Sequence, residues 1–219
     1  MRQLKRGHYE EDEFQSTMEK VIKFIVRHRE TSIFIGAVIV IGIGLIIFLN
    51  SRGEQRQPEA DVLHTQAMGL IGLRRYEDAE NVLLELTGRF PQTRPGKIGY
   101  YYLGVLYFYT GRFQEALDSY DEFLKRQRDD YILVPAALLG AGGAAEGLKD
   151  YERALDYYEK VARDKESPFH HLGMLAYGRT KGILGDKEEA REILRELLEQ
   201  QPAQTIATDA KFYMGFFNE

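Results

Sequence analysis

Cysteine is absent from the chain. That removes disulfides, thiolate metal sites, cysteine nucleophiles and lipid-modified cysteine anchors together. It is compatible with an oxidising compartment without identifying one. An excess of positive charge is missing too. The 219 residues sum to −5, whereas nucleic-acid binding usually needs a basic face, so no nucleic-acid partner is expected. Convergent catalytic groups are also lacking. The histidines are His8, His28, His64, His170 and His171, and adjacent ones point apart on a helix. No carboxylate partner or metal spacing accompanies His170-His171. No phosphate-binding glycine loop is present, since Gly140, Gly142 and Gly143 sit inside a helical repeat where close packing accounts for them. The acidic runs Glu10–Glu13 and Glu188-Glu189 read as solvated ends. The expectation is a protein that is not an enzyme, with no cofactor and no metal.

What the chain does have is one long apolar run. Residues 33–49 read IFIGAVIVIGIGLIIFL, and thirteen of these seventeen are Ile, Val, Leu or Phe. With Ser32 and Asn50 at its ends the run is about 19 residues, the length a helix needs to cross hydrocarbon. At roughly −0.3 to −0.6 kcal/mol per residue, insertion gains about 4–8 kcal/mol from these side chains alone. A cleaved signal peptide fits less well: the preceding segment exceeds thirty residues and is partly acidic, and no A-x-A site follows. The expected layout is a cytoplasmic segment over 1–32, a transmembrane helix over 33–50, a polar linker over 51–59 and a folded domain over 60–219.

Orientation follows from the flanks. Lys20, Lys23, Arg27 and Arg29 precede the run, and only Arg52 and Arg56 follow closely. Positive charge stays inside, which puts the N-terminus in the cytoplasm and the large domain across the membrane. Residues 1–32 carry seven basic and six acidic residues, leaving 22 basic and 28 acidic for the rest. The two parts therefore meet different surroundings. Within 11–29, Ser16 and Glu19 fit a capping box. Phe14, Met18, Val21, Ile22 and Ile25 share a face, as in an amphipathic helix lying on the membrane surface or docked on a partner. Ser32 and Gly36 form one small-xxx-small pair that could seat another helix.

Beyond the linker a phrase recurs: YEDAENVLLEL, FQEALDSYDEF, YERALDYYEKV and KEEAREILREL. Its alanines, Ala79, Ala116, Ala154 and Ala190, are 37, 38 and 36 residues apart. Self-similarity at this period means stacked supersecondary units. The second unit, GYYYLGVLYFYTGRFQEAL, holds seven aromatics between Tyr100 and Phe113. Its Tyr100, Leu103, Gly104, Tyr107, Gly111, Phe113, Ala116, Tyr120 and Phe123 resemble the tetratricopeptide repeat signature. Small Gly104 and Ala116 let two antiparallel helices approach, the rings fill the space around them, and Gly111 turns the chain. Weaker copies carry Gly69 and Gly72, then Gly142 and Ala145, then Gly178 and Gly185. The tail TIATDAKFYMGFFNE resembles one last unpaired helix with Met214-Gly215 in place, and Phe216 and Phe217 there are placed to cover the open end. The fold class expected is all-α: about four helical hairpins plus a capping helix in a right-handed solenoid.

In that family the first helix of each pair lines the concave surface. The resemblance then implies a groove of Ile98, Tyr101, Val105, Phe108 and Tyr109 in unit two. His64, Met68 and Ile71 are the counterparts in unit one. Leu139, Gly143 and Glu146 follow in unit three, and Leu172, Leu175, Arg179 and Ile183 in unit four. Paired Lys and Asn of a carboxylate clamp are missing from these positions. An apolar groove suits an amphipathic helix or extended segment of another protein, with aromatics as anchors. Packing of Phe108 and Tyr109 on neighbouring hairpins is the other reading of those two rings.

The layout as a whole resembles the bacterial ancillary subunit of the SecYEG translocon: a short cytoplasmic segment with DEF near its start, a basic amphipathic helix, one span, then a small extracytoplasmic repeat domain. The resemblance implies a single-pass inner-membrane protein whose domain is periplasmic. It implies partners among translocon subunits, periplasmic chaperones and emerging secretory chains. A cell-envelope assembly scaffold holding one fixed partner is one alternative. The other, an organelle receptor with its repeats in the cytosol, requires the opposite topology, against the Lys/Arg count. The oligomeric state is open.

Overall fold

The computed structural model describes Arg27, residues 37–46 and residues 57–218. The chain divides into two compact units, Met1–Gly53 and Glu54–Glu219. In the first, residues 37–46 are helical, with Val40, Ile41 and Ile46 exposed. Among the described residues no helix is long and apolar enough to cross a membrane. The remainder of the span expected over 33–50 lies outside the described residues. So do the Ser32–Gly36 pair and, apart from the helical Arg27, the amphipathic helix expected over 11–29.

In the second unit every described element is an α-helix. Helices α1 (Pro58–Gly72) and α2 (Tyr76–Arg89) form a hairpin, as do α3 (Arg94–Tyr109) and α4 (Phe113–Arg126). So do α5 (Leu133–Gly147) with α6 (Tyr151–Arg163), and α7 (His170–Ile183) with α8 (Lys187–Glu199). Helix α9 (Gln204–Phe216) follows without a partner of its own. Proline in the first turn helps start α1 and α3, where its missing N–H is no loss. Thr93 caps α3 by accepting from the Gly96 N–H at 3.1 Å, and Asp150 caps α6 by accepting from the Arg153 N–H at 3.2 Å.

The turn inside each hairpin is one motif repeated. In the first, Arg74 N–H donates to Ile71 O and Arg75 N–H to Leu70 O. The same two bonds join Gly111 to Phe108 and Arg112 to Tyr107. They join Lys149 to Glu146 and Asp150 to Ala145, then Gly185 to Gly182 and Asp186 to Lys181. This is the Schellman ending of a helix, which requires a left-handed residue just past its end. Gly111 (φ 75°) and Gly185 (φ 102°) meet that need without strain, and Arg74 (φ 59°) and Lys149 (φ 63°) meet it with side chains attached. Gly72 is therefore not the turning residue of the first unit. Left-handed backbone costs such residues about 1–2 kcal/mol, so the packed hairpin, not local preference, holds those two turns.

Packing inside the hairpins also follows one rule. The small residue of the first helix lies twelve positions before the signature alanine, at Ala67, Gly104, Gly142 and Gly178. It receives the side chain four positions after that alanine. A Cβ on Gly104 would come within 2.7 Å of the Tyr120 ring, and one on Gly142 would run into the Tyr158 ring. A Cβ on Gly178 would lie 3.1 Å from Leu194. Gly104 thus makes room for a ring rather than for Ala116, which is itself fully buried. In unit one the role belongs to buried Ala67, while Gly69 faces open space. Leu83, Leu86, Leu117, Phe123, Leu194 and Leu197 are fully buried between the helices. At about 25 cal/mol per Å² of apolar surface, each such side chain contributes roughly 1.5–3 kcal/mol.

The first helices of neighbouring hairpins pack together, α1 on α3, α3 on α5, and α7 on α9, more closely than the second helices do. A stack whose layers approach on one side bends toward that side, so the odd-numbered helices line the concave face. Phe217, just past α9, is 2% exposed and lies where a Cβ on Gly182 would be. Its ring seals the fourth hairpin.

Candidate protein-binding site

The concave face is built from the odd-numbered helices, and its two ends differ. At the N-terminal end most of the expected groove residues are half-buried shoulders of the core. Met68, Ile71, Tyr101, Val105 and Phe108 all pack against the main buried cluster. The Tyr101 ring lies edge-on to Tyr120 at 6.0 Å and 5.7 Å from Phe123. Phe108 meets Phe113 at 5.6 Å, and a Cβ on Gly143 would touch the Phe108 ring at 3.2 Å. The space opened by that glycine is filled by the ring. His64 leans on Tyr102 with ring centroids 5.9 Å apart. Burial lowers its pKa against the opposing pull of Asp61. Tyr109 is the one ring of the stretch that stands out, at 78% exposure.

Ala79, Ala116, Ala154 and Ala190 are fully buried, and Leu103 and Tyr107 nearly so. Tyr107 donates to Glu80 at 3.1 Å, and Arg112 lies 4.2 Å over its ring while bonding the same carboxylate at 2.7 Å. Burial first, and then the Glu80 bond, push the Tyr107 phenol up to about 12. Tyr100 is half-buried beneath the Arg126 guanidinium, 4.7 Å from its ring.

In the middle of the face the two polar groove positions find each other. Arg179 on α7 donates to both oxygens of Glu146 on α5, at 2.6 and 2.5 Å. Thr180, fully buried, adds a 2.7 Å bond to the same carboxylate. Burial, then the negative charge of Glu146, raises the Tyr158 phenol beside this pair. Arg179 is thus spent on an internal pair that ties two hairpins together. Leu139 and Leu175 are half-buried around it.

Toward the C-terminal end the face opens. Leu172, at 40% exposure, and Ile183, at 47%, reach solvent on α7. On α9, Phe212 and Phe216 are 65% and 58% exposed and stack with centroids 6.5 Å apart at 14°. Of the two C-terminal rings expected to cover the end, Phe217 does and Phe216 does not. Phe212 has no place in the sequence-level groove, although its i, i+4 relation to Phe216 was there to be seen. Tyr109, Leu172, Ile183, Phe212 and Phe216 are the exposed apolar side chains of the odd-numbered helices nearest this face.

Among the described residues no group of His, Asp or Glu is placed to hold a metal. The His170 and His171 rings lie 5.5 Å apart, and buried His170 bonds Gln200 at 3.1 Å. The arrangement offers apolar anchors and one internal ion pair. Its chemistry is that of contact with another chain.

The family model described as "T7SS, ESX-1 secretion system protein EccA1, N-terminal domain" matches residues 55–211. No curated protein matches the chain. Among solved structures, a tetratricopeptide repeat protein from Parabacteroides merdae ATCC 43184 is similar with a TM-score of 0.64 at 18% identity, covering 74% of this chain and 61% of that one. The present chain thus spans less than two thirds of that protein. YrrB, described as a TPR protein with an unusual peptide-binding site, is similar with a TM-score of 0.56 at 20% identity, covering 71% and 74%. PilW, described as a widely conserved type IV pilus biogenesis factor, is similar with a TM-score of 0.55 at 16% identity, covering 72% and 76%. The domain is a tetratricopeptide-like α-solenoid.

Proposed function

The chain belongs to the family of the EccA1 N-terminal domain of the ESX-1 type VII secretion system, and we propose that it is a membrane-tethered protein-binding scaffold serving protein export. The observation that carries this reading is the set of uncovered apolar side chains on the concave face, above all Tyr109, Phe212 and Phe216. Exposed rings at such positions are the anchors by which a solenoid takes hold of another chain. The family's tie to secretion supports the export context. The seventeen-residue apolar run with its basic N-terminal flank supports anchoring in the inner membrane, with the repeats on the extracytoplasmic side.

Within that context the role is that of an ancillary factor of Sec-dependent translocation. The anchor holds the solenoid near the channel exit. The concave face then meets emerging chains or periplasmic chaperones at high effective concentration, so a weak intrinsic affinity suffices. In-cell photocrosslinking tests this, with the probe at Tyr109, Phe212 and, in the apolar run, Gly36. Adducts to secretory chains or chaperones from the face, with translocon adducts from Gly36, are the expected result. Adducts to one envelope-assembly protein and none to the translocon would replace the export role with a fixed-partner scaffold. Adducts only to the protein itself would overturn both.

A further inference from the structure

The outer face of the solenoid carries two creases that are the same place in successive repeats. The first, about 690 Å³, opens between α4 and α6 with Val134 and Leu138 of α5 as its floor. The second, about 390 Å³, opens between α6 and α8 with His170 and Met174 of α7 at the same repeat positions. The near walls agree in charge: Asp121 and Lys125 in the first, Glu159 and Arg163 in the second. The far walls are reversed. Counted from the signature alanine, Arg153 and Lys160 of the first crease stand where Glu189 and Glu196 stand in the second.

Some of the cations in the first crease are already committed. Arg153 bonds Asp121 at 2.8 Å and Lys125 bonds Glu122 at 2.8 Å. Arg128 and Lys160, both exposed, form no ion pair among the described residues. Lys160 rests 5.4 Å from the Tyr157 ring. Asp156 also lines this crease and forms no ion pair among the described residues, so two unpaired cations stand against one unpaired anion. On a chain of net charge −5, a crease with a cationic excess over an apolar floor stands apart from its surroundings.

We propose that this crease is a second docking site, for an acidic segment of a partner protein. Carboxylates of the segment pair with Arg128 and Lys160, and one apolar side chain enters against Leu124, Val134 and Leu138. Two free cations are too few for a nucleic-acid backbone, which binds by neutralising a run of phosphates. In the neighbouring crease Glu189 is already paired with Lys181 at 2.9 Å. Glu196, standing where Lys160 stands in the first, disfavours the same segment, although Lys165 also lines that crease. Charge reversal between otherwise matching sites is a means of fixing register. This surface is on the side opposite the groove and does not depend on what the groove binds.

The test is fluorescence anisotropy with the full chain in detergent micelles and a labelled octapeptide, EDELEDLE, as probe. Lys160→Glu combined with Arg128→Glu should weaken binding about tenfold or more, and binding should fall with added salt. Phe212→Ala, on the concave face, should leave it unchanged, and Glu196→Lys, in the second crease, should not weaken it. Equal binding by the doubly reversed variant, with unaltered circular dichroism, would overturn the proposal. So would equal binding of the charge-inverted peptide KRKLKRLK to the unmodified chain. Loss of binding in Phe212→Ala alone would move the probe to the groove and overturn it as well.

Discussion

The two ends of the concave face invite a direct comparison. Helix α3 is the most aromatic stretch of the chain, yet nearly all its rings are turned into packing: Tyr101 against Phe123, Phe108 into the gap over Gly143, Tyr107 onto Arg112 and Glu80. Helix α9 has fewer rings and leaves Phe212 and Phe216 in solvent. The difference lies in what stands next to each helix. Helix α3 is flanked by hairpins on both sides, so any large side chain there meets a neighbour. Helix α9 has only the fourth hairpin behind it. Abundance of aromatics therefore marks where a helix has hairpins on both sides, and exposure of aromatics marks where it has one on a single side.

Several substitutions would break or sharpen this contrast. The largest effect is expected in the filled region, where Phe123→Ala leaves a void under Tyr101 and should lower unfolding stability by about 3–5 kcal/mol in a denaturant titration. The filled region also has an alkaline limit. Tyr107 and Tyr157 are both raised to about 12, first by burial and then by bonds to Glu80 and Asp121. Folded-state values above the ordinary phenol value mean that stability is intact below about pH 10 and falls as pH rises from 10 through 12. Melting temperature should drop across that window, with tyrosinate absorbance appearing alongside unfolding.

Smaller effects follow. Gly142→Ala adds a methyl against the Tyr158 ring and should cost about 1–3 kcal/mol through overpacking. The same change at Gly215, which faces open space, should cost nothing measurable by melting. Lys149→Gly relieves a left-handed residue and should gain about 0.5 kcal/mol, since the greater freedom of glycine in the unfolded chain offsets part of the relief. At the open end, Phe212→Ala with Phe216→Ala should shift stability by no more than about 0.5 kcal/mol while removing crosslinks from the concave face. A stability loss comparable to that of Phe123→Ala would mean that these rings are packed after all.

Much of the architecture could be read in advance, because a repeat writes its rule several times over. The alanines spaced by 37, 38 and 36 residues placed every hairpin, and the unpaired last helix followed from the same count. The turns were legible only where glycine marked them. Arg74 and Lys149 adopt the left-handed conformation because helices already packed on either side leave the chain no other way round. The groove was less legible. Fifteen positions could be assigned to the concave face by counting, but counting cannot tell a ring that reaches solvent from one that leans back into a glycine's space. The Glu146–Arg179 pair was similarly hidden, since its members are 33 residues apart and looked like two separate polar positions.

Sequence by itself determined the kind of molecule: an all-helical repeat domain following an apolar run, without cysteine. Periodicity carries that information because each unit must bury the same face against the next. Tertiary structure alone decided which side chains are left over. Burial depends on the neighbour that the fold supplies, so equivalent positions in successive repeats become core, ion pair or open ring. The two outer creases show the same dependence in charge: one backbone arrangement, with Arg153 and Lys160 in one copy and Glu189 and Glu196 in the next.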